Sequence, residues 1–283
     1  MVLVHAALRQ VGPVVSGADA IIAALRDAVG PDGTLMVYTD WQADIWELDE
    51  DPEDLSLVTM SVPGDQRSAV LPFDPAASRA IRDNGALPEL VRTLPGAVRS
   101  ASPGASCAAI GARAGWLTAA HSLDYGYGEQ SPFARLVEAN GKVLMLGAPL
   151  ETMTLLHHAE HLARLPNKRR LRIETPMLAP DGSTVWRWIE EFNTGLPVTA
   201  GLDDDYFATV VEAFLATGLG RRGQVGRHPA CWCRPRKWWR LASNGWRADT
   251  RAPRALSGEV ADFSGPKARQ NKDLDHFAVS TKR

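Results

Sequence analysis

The densest group of proton-transferring side chains is Thr154-Leu155-Leu156-His157-His158-Ala159-Glu160-His161. On a helix, His157, Glu160 and His161 fall at i, i+3 and i+4 and share one face, while His158 points elsewhere. Two chemistries fit this spacing. His157-x-x-Glu160-His161 matches the H-x-x-E-H pattern of zinc hydrolases, with two histidine ligands and a glutamate base. Such a site needs a third protein ligand, and no downstream carboxylate motif supplies one. In the second chemistry one histidine is a general base oriented by a carboxylate. That suits a neutral imidazole near pH 7 and is worth roughly 10² to 10⁴ in rate. A bland alternative leaves the histidines as caps or cover of a helix face.

The elements that would carry this cluster alternate. Residues 1–5, 34–38 and 142–147 are short apolar runs bounded by turn residues, which read as buried strands. Residues 19–29, 152–163 and 203–216 carry helical periodicity, the last opened by Asp203-Asp204-Asp205, where negative charge favours the helix dipole. Residues 172–173 and 185–192 flank Pro180-Asp181-Gly182 and predict a hairpin. Strand, loop, helix recurs, so the expectation is an α/β (α+β) fold with a mixed central sheet flanked by helices. The His157 cluster then follows a strand's carboxyl end, where such folds build sites. Residues 43–72, rich in Asp and Glu with little periodicity, read as a solvent-facing acidic loop.

With 283 residues, 45% of them hydrophobic and 23% charged, and a net charge of -2, the chain has a globular composition. It holds no apolar run of about 18 residues and opens without a charged leader, so no membrane partner and a cytoplasmic location are expected. Three cysteines, two as Cys231-x-Cys233, make no disulfide framework and no zinc or redox pair. The charge is uneven: residues 1–226 balance at -10 and residues 227–283 at +8, with four of the nine tryptophans in the latter. An acidic body draws polycations electrostatically.

Five ordered blocks then carry a resemblance. Val4-His5-Ala6-Ala7-Leu8-Arg9, Pro72-Phe73-Asp74-Pro75, Arg99-Ser100-Ala101-Ser102-Pro103-Gly104-Ala105-Ser106, Tyr125-Gly126-Tyr127-Gly128-Glu129-Gln130-Ser131-Pro132, and Val143-Leu144-Met145-Leu146-Gly147-Ala148-Pro149 with Thr154 to Glu160 resemble the blocks of the aminoglycoside 3-N-acetyltransferases. The resemblance covers residues 1–226. It implies transfer of acetyl from acetyl coenzyme A to the 3-amino group of a 2-deoxystreptamine antibiotic, without metal, conferring resistance. It further implies His157 as base and Glu191 as the carboxylate that orients it. Coenzyme A would lie against His5, Ala6, Ala7, Leu8 and Arg9 and against Ser100, Ser102 and Ser106. By analogy Asp40, Trp41, Glu129, Glu160, Asp204 and Asp205 are candidates to bind substrate ammonium groups, although Asp204 and Asp205 equally suit a helix start. Direct attack of the amine is expected, because Cys107 has no recognisable base beside it.

The chain also departs from the family's pattern. It begins inside the strand that an N-terminal helix precedes in relatives. Ala7 stands where serine is common, and Asn193 where aspartate is. After residue 226 the periodicity gives way to Arg, Trp and Pro, which reads as a replaced or frame-shifted, poorly packed tail. Nucleic-acid binding by that tail is the weaker alternative. An inactive truncated homologue is the alternative for the whole chain, beside the zinc hydrolase.

Overall fold

The protein is described from a computed structural model covering residues 1–42, 47–48, 56–195, 197–199, 201–204, 206–225 and 228–233. In chain order its elements are β1 (Val2–Ala6), α1 (Leu8–Val11), α2 (Gly17–Val29), β2 (Thr34–Tyr38), β3 (Glu47–Leu48), β4 (Leu57–Ser61), α3 (Ala86–Arg92), β5 (Val98–Arg99), β6 (Cys107–Gly111), α4 (Ala114–Thr118), α5 (Pro132–Glu138), β7 (Lys142–Leu146), α6 (Leu155–Leu162), β8 (Arg170–Leu178), β9 (Thr184–Phe192), α7 (Tyr206–Ala216), β10 (Arg221–Val225) and β11 (His228–Cys233).

Seven strands form one sheet in the order β10-β11-β7-β1-β2-β6-β5. The central trio β7, β1 and β2 is parallel, and β6 and β11 flank it antiparallel. β1 lies between two neighbours and under helices on both faces, which is why its run is almost unbrokenly apolar. Alternation sorts its side chains: Val2, Val4 and Ala6 pack with Ile22 and Leu25 of α2 and Leu87 and Val91 of α3. Leu3 packs on the opposite face with Met36, Met145, Phe133, Leu155, Leu156 and Phe207, so α5, α6 and α7 cover that side. The mixed α/β fold expected from the sequence is therefore present.

Two divergent exits shape the site. From β1 the chain leaves toward the α2 face, whereas from the adjacent β7 it leaves toward the α6 face. A crevice opens where neighbouring parallel strands send their connections to opposite sides, beyond their carboxyl ends.

A second sheet, β3-β4-β8-β9, carries the hairpin expected around residues 180–182, now nine residues a side. The expectation of an acidic loop over residues 43–72 is corrected here: β3 and β4 fall inside it, and β4 pairs in parallel with β8. That pairing joins segments over a hundred residues apart, which local periodicity does not report. Asp44, Asp49, Glu50, Asp51, Glu53 and Asp54 lie outside the described residues. The break drawn at residue 226 falls inside the β10–β11 hairpin, and β11 is inserted between β10 and β7, with Cys231 and Cys233 buried. The sheet therefore continues through Cys233. The remaining tail, residues 234–283, lies outside the described residues.

Candidate active site

Leu155 and Leu156 seat α6 on the sheet, and the same helical turn then presents His157. Its Nδ1 donates to Glu160 Oε2 at 2.6 Å, the i,i+3 contact that the spacing predicts. Glu160 is 2% exposed, whereas the His157 side chain retains 18%. Among the described residues nothing occupies the other ring nitrogen, Nε2. The imidazole is thus anchored at one nitrogen by a buried carboxylate and leaves its second for chemistry. It packs between Tyr127 (5.0 Å between centroids) and Phe207 of α7 (4.8 Å).

Glu191 does not stand beside His157 as expected. Its Oε1 accepts from His161 Nε2 and from its own strand neighbour, Phe192 N–H, at 2.7 Å. His161 lies one turn beyond His157 and faces β9, so each histidine takes the carboxylate its turn brings nearest. The Nδ1 of His161 donates to the His157 carbonyl at 2.7 Å. Both nitrogens of this ring are therefore spent, which disfavours the two-histidine zinc reading of H-x-x-E-H. No group of three or more potential metal ligands occurs among the described residues. Glu160 is likewise not placed as a substrate ligand, because its carboxylate is enclosed. Sequence reasoning missed Lys168, whose Nζ donates to the carbonyls of Glu160 (2.6 Å) and His161 (3.0 Å) at the carboxyl end of α6, where a cation satisfies orphan carbonyls.

Two tyrosines, also missed, extend the site across the sheet. Tyr38, at the end of β2, shares a 2.6 Å hydrogen bond with the hydroxyl of Tyr127, which itself donates to the Gly104 carbonyl at 3.0 Å. Burial holds both phenols well above their usual range. Tyr127 is fixed because His158 Nδ1 donates to its carbonyl at 2.6 Å. Burial lowers the His158 imidazole to about 4, which keeps it neutral. The signal for Tyr127 in the sequence was the Tyr125–Pro132 block, whereas Tyr38 closes the apolar run 34–38.

Asp40 follows β2 in the left-handed region at φ 52° and is enclosed, with Oδ1 accepting from Trp41 N–H at 2.6 Å. Burial raises its carboxyl to about 7. Arg99 donates to its carbonyl at 2.5 Å, and Trp41 packs on Phe73 at 5.5 Å. Glu129 and Asp204 are exposed; Asp205 lies outside the described residues.

Ser100, Ser102 and Ser106 are buried. Ser100 Oγ accepts from Cys107 N–H at 2.9 Å and contacts His121 Nδ1 at 2.8 Å. Ser106 Oγ takes Thr39 and Arg99 as partners. The Ser100 and Ser106 hydroxyls find their partners within the protein. Their work is to tie the turn to Asp40 and Arg99. Cys107 is buried, and desolvation pushes its thiol well up, so it offers no thiolate for an acyl intermediate.

His5 to Arg9, expected to meet coenzyme A, run from the end of β1 into α1 beside β7, and Arg9 is exposed. Ala7 N–H is taken by the Leu146 carbonyl at 3.1 Å, and Ala7 offers no side-chain cap to α1. Gly147, at φ 64°, lies close to α1, since a Cβ there would approach Gln10 Cβ to 3.0 Å. His5 leaves a buried ring nitrogen without a hydrogen-bond partner among the described residues. No helix among the described residues is long and apolar enough to cross a membrane.

The family model for aminoglycoside 3-N-acetyltransferases matches residues 3–245. Aminoglycoside N(3)-acetyltransferase III of Pseudomonas aeruginosa is 47% identical over 225 residues, covering 79% of this chain and 78% of its own. The solved structure of AAC-IIIb with CoASH is 55% identical with a TM-score of 0.79, covering 86% of this chain and 88% of that one. AAC-VIa bound to sisomicin is 31% identical with a TM-score of 0.77, covering 86% and 89%.

Proposed function

This chain belongs to the aminoglycoside 3-N-acetyltransferase family, and from that premise we propose that it acetylates the 3-amino group of 2-deoxystreptamine aminoglycosides, conferring resistance. Bound acetyl coenzyme A supplies an acetyl group carried on sulfur. The amine nitrogen bonds to the acetyl carbon, the carbon–sulfur bond breaks, and amine plus thioester become amide plus thiol. His157 Nε2 receives the proton the amine sheds and passes it toward the departing sulfur. Glu160 fixes the imidazole tautomer and stabilises the cation that forms. Glu191 supports the arrangement through His161, so it is a positioning residue one step removed.

A polycationic substrate finds carboxylates on its approach. Exposed Glu129 and Asp204 lie two and three residues from Tyr127 and Phe207, the rings that enclose His157. Asp205 and Trp41 complete the candidate set for ammonium groups, whereas Asp40 is enclosed, as Glu160 is, and leaves it.

The observation that carries this reading is an imidazole with one nitrogen committed to a buried carboxylate and the other uncommitted. The test is thiol release from acetyl coenzyme A with gentamicin, kanamycin or neomycin present. Antibiotic-dependent release is expected and should survive a chelator. Release that is absent, or that a chelator abolishes, would refute it.

A further inference from the structure

His5 stands apart from the proton-transfer groups. In β1 it shares a face with Leu3, because it pairs with Met145 of β7 and Leu3 pairs with Val143, both residues of the α6-side core. Leu3 also pairs with Met36 of β2, so two residues on His5 lies beside Tyr38 on that same face. Tyr38 meets Tyr127 through their hydroxyls, and Tyr127 packs on His157. His5 and His157 therefore lie on one side of the sheet toward the carboxyl ends of the parallel strands, linked through the two tyrosines.

There the His5 Nε2 is buried and lacks a hydrogen-bond partner among the described residues. Leaving such a group unpaired costs stability that a core position would not need to forgo. Burial also lowers this imidazole to about 4. At neutral pH it carries one N–H and one lone pair and no charge, so it is a poor base but a usable hydrogen-bond donor.

We propose that the side chain of His5 is a catalytic hydrogen-bond donor that meets the acetyl carbonyl oxygen of the bound thioester. It contributes as that oxygen gathers negative charge during attack by the amine. This rests on the acetyltransferase reading above and adds a role for the imidazole beyond any backbone contact of residues 5–9. No proton leaves His5; the bond made and the bond broken are those already described.

The test compares His5→Phe, which keeps a ring without nitrogen, and His5→Gln, whose amide returns a donor near the position of Nε2. The His5→Phe variant is expected to lose about 10²-fold in kcat while its dissociation constant for free coenzyme A stays within twofold of wild type. His5→Gln is expected to recover about tenfold of that loss. Independently of turnover, the ring nitrogens of His5 in ¹⁵N-histidine wild-type protein, assigned by their loss in His5→Gln, should shift with acetyl coenzyme A and not with coenzyme A. Near-normal kcat in His5→Phe, or equal shifts with both ligands, overturns the inference. Wild-type protein without antibiotic-dependent thiol release would instead defeat the acetyltransferase reading, and the nitrogen shifts would still decide the role of His5. If His5→Phe does not fold, His5→Gln and the wild-type spectra carry the test.

Discussion

Replacing Glu160 by glutamine separates the two carboxylates near the cluster. Glu160 is enclosed and accepts from His157 at 2.6 Å, and glutamine keeps its volume and an oxygen acceptor but not its charge. The loss is then at most that of one hydrogen bond to a charged group, about 1.5–3 kcal/mol. At ~1.36 kcal/mol per tenfold in rate, kcat for thiol release should fall by up to roughly 10- to 100-fold at saturating substrates. His157→Ala alone should cost about 10² to 10⁴. In that background Glu160→Gln should add less than about twofold, because its contribution passes through the ring already removed. Unchanged turnover in Glu160→Gln, with turnover abolished in a fully stable Glu191→Gln, would overturn this assignment and return Glu191 to the side of His157.

Glu191→Gln should act first on stability, since it takes the charge from the acceptor of His161, which is only 3% exposed. The loss is at most that of one hydrogen bond to a charged group, about 1.5–3 kcal/mol, and an unaltered melting temperature would refute the link between α6 and β9. Stability should also depend on pH with opposing signs. Burial lowers His5, His121 and His158 to about 4 from 6.5, so the unfolded chain binds protons first and stability falls as pH drops from about 6.5 to 4. Asp40, raised from 3.8 to about 7, gains stability over the same descent. Asp40→Asn should therefore steepen the acid loss seen in thermal melts, and an unchanged slope would contradict the burial of its carboxyl. Gly126→Ala would set a Cβ 2.8 Å from both Ala105 Cβ and Ser102 Oγ. It should lower both melting temperature and turnover by displacing Tyr127, and wild-type behaviour in both assays would show that the loops separate without strain.

The sequence by itself determined the strands and helices that carry strong local period: residues 34–38 match β2, and 142–147 and 19–29 differ from β7 and α2 by one and two residues. It also placed His157 and Glu160 on one helical face, because an i,i+3 neighbour is fixed by helix geometry alone. Tertiary structure decided which carboxylate meets which histidine, since Glu191 arrives from a strand thirty residues beyond His161. It likewise decided that β4 joins β8 and that β11 continues the sheet past residue 226, where composition suggested an end. The hydrogen bonds inside the Ser100–Ser106 turn likewise join residues that the sequence shows only as a small polar loop. Local periodicity reports which face of a segment seeks burial. Which distant group satisfies a buried donor depends on where the chain returns, and that is settled only when the layers pack.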